Sequence, residues 1–247
     1  MINLYDGLNW VRIQSQEDRT GRYPRKLLNE MSTTRNIHIW VWDGVGSKEK
    51  RQQKFPGYKA KRVPEGEEFW TFINMCRKVL GHTHAIQVHV PGYEADDVIA
   101  TLARRYDGRD TVHVHSTDRD FTQLCSEQIR TTAKPQAGVD PTRVRLYKTL
   151  VGDASDNIPG LRGFGVKSWA NLSDANRDEL ERAVQGLPFD RDRTGLSDRQ
   201  LEQLDDLKLY WDIIGFFDVP IDLINKHTHI GDRDFNAGDA YLKQYLQ

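Results

Sequence analysis

Seven carboxylates, Asp6, Asp43, Glu94, Asp96, Asp97, Asp118 and Asp120, each fall at or shortly after the end of a short apolar or β-branched run. Asp153 and Asp156 follow a helical pattern. Acids packed together repel one another and raise each other's pKa values, so a cluster that stays ionised needs a cation. All-oxygen ligands without Cys or paired His beside them favour Mg²⁺ or Mn²⁺ over Zn²⁺. Two such ions about 4 Å apart clamp an in-line phosphoryl displacement. Taken singly, each Asp reads better as a strand-end turn residue or a helix N-cap. Recurrence after four successive strands is what strains that plainer account.

The strands that must place these acids are predicted at 2–5, 37–42, 86–90 and 112–115. Helical patterns separate them. Over 67–80 the apolar positions Phe69, Phe72, Ile73, Cys76, Val79 and Leu80 keep nearly a 3.6 period, and 95–105 puts Val98, Ile99, Leu102 and Ala103 on one face. Strands alternating with helices imply an α/β fold with a mostly parallel sheet. In such a sheet the strands' carboxyl ends share one edge, the usual ligand crevice. Pro141 is expected to open a helix through Val144, Tyr147, Lys148 and Val151. The stretch after 172 reads as helical, with breaks near 186–188 and 218–220. A domain seam is expected near residue 150.

The 247 residues are 38% hydrophobic and 29% charged, with a formal charge of −1. Aromatics are plentiful, which excludes wholesale disorder. No run of 18 apolar residues exists to span a membrane. Two Cys, Cys76 and Cys125, cannot make a disulfide framework, and no secretory signal is visible, so a reducing, cytoplasmic setting is expected. The neutral total hides an uneven distribution. Lys48, Lys50, Arg51, Lys54, Lys59, Lys61 and Arg62 crowd one short segment, either a solvated face or an electrostatic footprint for phosphate. Three His-x-His pairs, 82/84, 113/115 and 227/229, lack the further soft ligands of a zinc site. Asp232-x-Asp234-x-Asn236 lacks the glycine and closing Glu of a calcium loop and reads as a polar turn before a terminal helix. The six Trp, from Trp10 to Trp211, read as core.

At Gly92-Tyr93-Glu94-Ala95-Asp96-Asp97-Val98-Ile99-Ala100-Thr101-Leu102-Ala103 the sequence resembles the signature helix of the 5′ nucleases. That family includes the 5′-nuclease domain of bacterial DNA polymerase I, stand-alone 5′→3′ exonucleases and flap endonucleases. Ser116-Thr117-Asp118-Arg119-Asp120-Phe121-Thr122-Gln123-Leu124 is similar to its second acidic motif, and Val151-Gly152-Asp153-Ala154-Ser155-Asp156-Asn157-Ile158-Pro159-Gly160-Leu161 to its third. Arg162-Gly163-Phe164-Gly165-Val166-Lys167 resembles its helix–three-turn–helix. Asp6-Gly7, Trp42-Asp43-Gly44 and the basic run Pro56-Gly57-Tyr58-Lys59-Ala60-Lys61-Arg62 complete six motifs in order over residues 1–172.

The resemblance implies a PIN-like sheet flanked by helices in residues 1–150, including a short basic arch over 44–66. A helix–three-turn–helix region and helical tail would occupy 151–247. It implies a free-standing, monomeric, metal-dependent 5′ nuclease of a bacterial or phage-infected cell, with no membrane role. Such an enzyme cleaves DNA at 5′ ends, nicks and flaps in replication or repair, and in some cases removes RNA from RNA–DNA hybrids. Asp6, Asp43, Glu94, Asp96 and Asp118 would serve the tighter Mg²⁺ site, while Asp97, Asp120, Asp153 and Asp156 would complete it or hold a second ion. Lys59 and Arg62 would act on the scissile phosphate and Tyr58 would stack on a base. Lys61, Gly163, Gly165 and Lys167 would bind DNA, with K⁺ at that glycine turn. Two rival readings are a junction-binding protein that has lost catalysis and an RNA-directed PIN-like nuclease. Retention of all nine acids argues against the first, and the Gly163–Lys167 motif, which suits a duplex backbone, against the second.

Overall fold

The computed structural model describes residues 1–17 and 22–245. Among them the chain forms, in order, β1 (Ile2–Asp6), α1 (Gly7–Glu17), α2 (Tyr23–Thr33), β2 (Ile37–Trp42), α3 (Glu49–Lys54), α4 (Glu67–Leu80), β3 (Ile86–His89), α5 (Ala95–Tyr106), β4 (Val112–His115) and β5 (Ile129–Thr131). It continues with α6 (Val144–Val151), α7 (Val166–Asn171), α8 (Asp174–Val184), α9 (Asp198–Leu201), α10 (Leu204–Ile214), α11 (Ile221–Lys226), β6 (Thr228–Ile230) and α12 (Phe235–Lys243). These divide into two compact units. One comprises Met1–Ser47, Pro64–Lys134 and Phe217–Gln247; the other comprises Lys48–Val63 and Pro135–Phe216.

The first unit is built on a six-stranded sheet of order β5-β4-β1-β2-β3-β6. All pairings are parallel except β6 on β3. The central strands β1 and β2 are buried on both faces, as parallel strands under helices must be. On one face Tyr5 stacks between Trp40 (centroids 4.3 Å) and His115 (4.3 Å), under Val11, Leu27, Met31, Ile73 and Leu80 from α1, α2 and α4. On the other face Leu4, Ile39, Val41, Val112 and Val114 are buried toward α5. From β1 the chain steps outward to β2 and β3, then crosses back to β4 on the opposite side of β1. Strand order reverses between β1 and β4, so the crevice belongs at their carboxyl ends.

The second unit is helical. Leu146, Leu150, Trp169, Leu180, Leu207 and Trp211 form its core, joined by Tyr58 from the basic segment. Arg51 is buried here, donating from Nε to the Ile213 carbonyl and from Nη2 to that of Gly215, each at 3.0 Å. It satisfies carbonyls left over at the end of α10.

The units part differently from the seam expected at 150. The basic segment joins the helical unit because Arg51 is tied to α10 and the Lys59 N–H donates to the Asp156 carbonyl at 3.0 Å. The last stretch returns to the sheet unit because β6 pairs with β3. The four expected strands all form. β5 and β6 were not anticipated, because three residues cannot display an alternating pattern. Pro141 opens a short 3₁₀ turn capped by Asp140, and α6 follows it. Trp70 departs from the core expectation at 44% exposure.

Candidate active site

Asp6 ends β1, Asp43 follows β2, Glu94–Asp97 open α5 after β3, and Asp118 and Asp120 follow β4. The parallel pairing therefore brings all seven to one edge of the first unit's sheet. Asp6 is buried there at 8% exposure. Its Oδ1 accepts from the Asn9 N–H at 3.2 Å and its Oδ2 from the Ser116 hydroxyl at 3.1 Å. The same hydroxyl accepts from the Asp118 N–H at 3.1 Å, so Ser116 ties the ends of β1 and β4 together. Burial, reinforced by the charges of Asp43 and Asp118, pushes the Asp6 carboxyl up to about 7. The two charged groups that push it up are both acids.

Local backbone chemistry fixes the other acids. Asp43 sits beside Gly44, where a Cβ would lie 1.8 Å from the Val90 carbonyl oxygen, so only glycine allows this approach of the β2 and β3 ends. Gly44 N–H donates to the Tyr93 carbonyl at 3.0 Å, and Asp43 Oδ1 accepts from the Ala95 N–H at 2.8 Å, at the start of α5. Carboxylates suit that position, because a helix N-terminus presents free N–H groups and the positive end of its dipole. Glu94 and Asp97 form a reciprocal capping box. The fully buried Asp97 accepts from the Glu94 N–H at 3.3 Å through Oδ2 and from the Phe217 N–H at 2.8 Å through Oδ1. Both its oxygens thus serve the backbone, one of them anchoring the returning C-terminal segment. Asp118 caps the turn 119–124 and accepts from the Asp120 N–H at 2.9 Å.

Asp153, Asp156, Lys59 and Arg62 belong to the helical unit. Asp153 Oδ2 pairs with Lys148 Nζ at 2.8 Å, and its Oδ1 accepts from the Ser155 N–H (2.9 Å) and hydroxyl (2.6 Å). Burial raises its pKa, but Lys148 and Ser155 outweigh that and hold it below the usual carboxylate range. Asp156 pairs with Arg62 Nη2 at 2.8 Å. Burial and Asp153 push Asp156 upward, opposed by Lys59, Arg62 and Lys148. Lys59 is 8% exposed, in a left-handed backbone conformation at φ 54°, with Nζ 4.8 Å from the Tyr58 ring centroid.

Tyr58 requires a correction. It is 2% exposed within the helical core, beneath Lys59 and Arg51, so no ring face is left to stack on a base. Lys61 is exposed, as are Gly163 and Lys167. Gly163 takes φ 76°, and a Cβ at Gly163 or Gly165 would meet nothing within 4 Å. The space beside these glycines, before α7, is open.

The donor set on the sheet edge suits a hard cation. Among the described residues no three His, Cys, Asp or Glu side chains are arranged to grip an ion directly. Mg²⁺ needs no such cage, since it keeps several waters and takes one or two carboxylates plus phosphate oxygens. Mutual repulsion around Asp6 is what such an ion relieves. Sequence reasoning missed Ser116, Asn9 and Lys148. Ser two residues before Asp118 and Asn three after Asp6 are turn and cap spacings that could have exposed the first two; nothing marked Lys148.

Residues 22–148 match the model of the 5′-3′ exonuclease N-terminal resolvase-like domain. The thermostable DNA polymerase I of Thermus aquaticus is 30% identical over 204 residues, covering 77% of this chain and 24% of that protein. A 5′-3′ exonuclease of Aquifex aeolicus is 30% identical over 161 residues, covering 60% and 56%. The chain thus spans about a quarter of the polymerase it matches. Among solved structures, T5 5′-exonuclease with bound divalent zinc aligns at TM-score 0.68 and 18% identity, over 100% of this chain and 99% of that one. Likeness at that identity establishes the shared α/β fold. With more than half of its length matched, the chain belongs to the 5′-3′ exonuclease N-terminal resolvase-like domain family.

Proposed function

We propose that this chain is a Mg²⁺-dependent, structure-selective 5′ nuclease, joining 5′→3′ exonuclease and flap endonuclease activity on DNA in replication or repair. The observation that carries this is the gathering of Asp6, Asp43, Glu94 and Asp118 at the carboxyl ends of parallel strands beside the sheet's switch point, where burial and the charges of Asp43 and Asp118 push the Asp6 pKa upward. The Aquifex relative is a 5′-3′ exonuclease, and a T5 flap endonuclease of the same fold was solved with DNA and metal ions. Asp6, Asp43, Glu94, Asp96, Asp118 and Asp120 would hold the ions on the sheet edge. Bound there, Mg²⁺ supplies Lewis acidity and charge neutralisation for an in-line phosphoryl displacement. Ser116 and Asn9 keep the Asp6 oxygens aimed, the Ala95 N–H does so for Asp43, and Asp97 fixes Glu94. Asp97 is therefore assigned a positioning role.

On the helical unit, Lys59 and Arg62 would meet a strand phosphate, and their charge offsets what develops in the transition state. Asp156 pairs with Arg62 and feels the charge of Lys59, Asp153 pairs with Lys148, and both acids remain candidates for a further ion. Lys61, Gly163, Gly165 and Lys167 would take a duplex backbone, with K⁺ on the carbonyls of the glycine turn. The protein would act as a monomer. The test is cleavage of 5′-labelled flap, nicked and RNA-primed duplexes with Mg²⁺ and with EDTA. Release of short 5′ products in Mg²⁺ alone is expected, and the RNA-primed substrate reports primer removal. Equal digestion after chelation refutes the metal role, while binding without cleavage leaves a junction-binding protein.

A further inference from the structure

Away from the acids, the first unit carries a cleft of about 710 Å³ on the sheet edge formed by β3 and β6. Its chemistry follows from strand register. Gln87 pairs with His229 across the antiparallel β3–β6 ladder, and the His89 N–H donates to the His227 carbonyl at 3.2 Å. Side chains alternate along a strand, so Gln87 and His89 on β3 and His229 on β6 project to one face, and His227, just before β6, also lines the cleft. That face also receives Arg77 and Lys78 from the last turn of α4, and Lys226 lies beside it at the end of α11.

The cleft is thus lined by three permanent cations and three imidazoles. Its one acid, Asp232, accepts from the Asp234 N–H at 2.8 Å, sits 3.1 Å from His82 Nδ1 and feels the charge of Lys78, which leaves three cations against a single carboxylate. The end of α4 contributes about half a negative charge, too little to offset the cations. Trp42 is 2% exposed beneath the Arg77 guanidinium (5.3 Å), and its indole N–H donates to Gln87 Oε1 at 3.1 Å, so no indole face is open to a base. Gln87 in turn donates to the Arg77 carbonyl at 3.0 Å, which braces the Arg77 backbone. Among the described residues, no three His, Cys, Asp or Glu are arranged to hold a metal here.

The geometry points to a phosphate-binding cleft formed by Arg77, Lys78 and Lys226 with the imidazoles of His227 and His229. It recognises the phosphate and leaves the base unread. Two sources carry that chemistry: an internal phosphodiester of a strand, or the terminal phosphomonoester of a nucleotide. The inference goes beyond the nuclease reading and does not require cleavage.

The test uses the full chain in EDTA, with His-ring NMR resonances as the readout. The probes are inorganic phosphate, thymidine 5′-monophosphate and a short oligothymidylate with hydroxyl ends. Saturable shifts of the His227 and His229 rings are expected. The K78E/K226E pair should weaken them by about tenfold or more, and K226Q should give a smaller loss in the same direction. The pair K208E/K243E, whose lysines lie outside the cleft lining, should leave the shifts unchanged. Tighter binding of the oligonucleotide assigns an internal phosphodiester, and tighter binding of the mononucleotide a terminal phosphate; either supports the cleft. Rings unmoved by all three probes, or an equal loss in K208E/K243E, overturn it.

Discussion

Asp6 and Asp153 are both withdrawn from water, yet the protein treats their charges in opposite ways. Asp153 has Lys148 at 2.8 Å and two donors from Ser155, and its pKa falls despite burial. Asp6 also accepts two hydrogen bonds, but Asp43 and Asp118 add to the effect of burial, and its pKa rises to about 7. Burial and hydrogen bonding are common to both sites; the sign of the neighbouring charge is the difference. A carboxylate neutralised within the chain contributes to stability, whereas a cluster of carboxylates costs stability until a cation arrives. Asp153 is neutralised by a cation of its own unit, whereas in the function proposed above the sheet unit's acids receive their neutralising charge from a bound cation.

The largest effect that could break this comparison is at Asp118. Asp118→Asn removes a negative charge beside Asp6 while keeping the side chain's shape. Cleavage of a flap substrate should fall by at least about a hundredfold, with junction binding changed little. Single-turnover rates and a binding isotherm separate the two. Unchanged turnover removes Asp118 from the metal site. In EDTA the same variant should be no less stable than the parent, since it relieves repulsion.

The reverse holds on the helical unit. Lys148→Met leaves Asp153 shielded without its cation, and urea unfolding should show a loss of about 2–3 kcal/mol. Adding Asp153→Asn should recover much of it. If Lys148→Met is neutral, Asp153 is not neutralised from within, and the contrast between the regions fails.

How far this contrast was legible beforehand follows from the kind of signal each residue carries. Strand-end acids are visible because a parallel sheet converts sequence position into spatial position, so Asp6, Asp43, Glu94 and Asp118 could be placed on one edge without coordinates. The role of Asp97 was not legible, because its second donor, the Phe217 N–H, arrives from 120 residues away. Tyr58 failed for a related reason. An aromatic in a basic run looks like a stacking residue, and only tertiary packing shows it to be the floor under Lys59. The three-residue strand β6, which creates the cationic cleft, is too short for periodicity to register.

A pH experiment tests the layer beneath the acid edge. His115 stacks on Tyr5, and its Nε2 is 3.0 Å from Asn3 Oδ1. Burial, helped by His113 and His38, lowers its pKa to about 3. The unfolded chain takes up this proton below about pH 6.5 while the folded chain refuses it. The stability held in neutral His115 is therefore complete above that pH and is lost as pH falls toward 3. Between pH 7.5 and 5 the loss is about 2 kcal/mol, and His115→Gln should remove that part of the pH dependence. Urea unfolding of both proteins at the two pH values gives the difference directly. An unchanged slope in the variant would mean the imidazole is solvated in the folded protein.

The smallest predicted effect bears on what the internally neutralised region contributes to function. Lys59 is buried at φ 54° over Tyr58, and its charge opposes the rise of the Asp156 pKa. A residue held so firmly has lost the rotamer freedom that a diffuse steering charge would keep, and it presents its ammonium at a fixed point. Fixed charge counts most where charge changes during reaction, so Lys59→Ala should slow single-turnover cleavage by about tenfold while weakening flap binding less than about threefold. Lys59→Arg, with a longer reach but the same charge, should recover part of the rate. The reverse split, affinity lost and rate kept, would make Lys59 a ground-state binding charge. Equal loss of both, accompanied by a lower melting temperature, would show that its main task is to neutralise Asp156, and the helical unit's cluster would then be structural throughout.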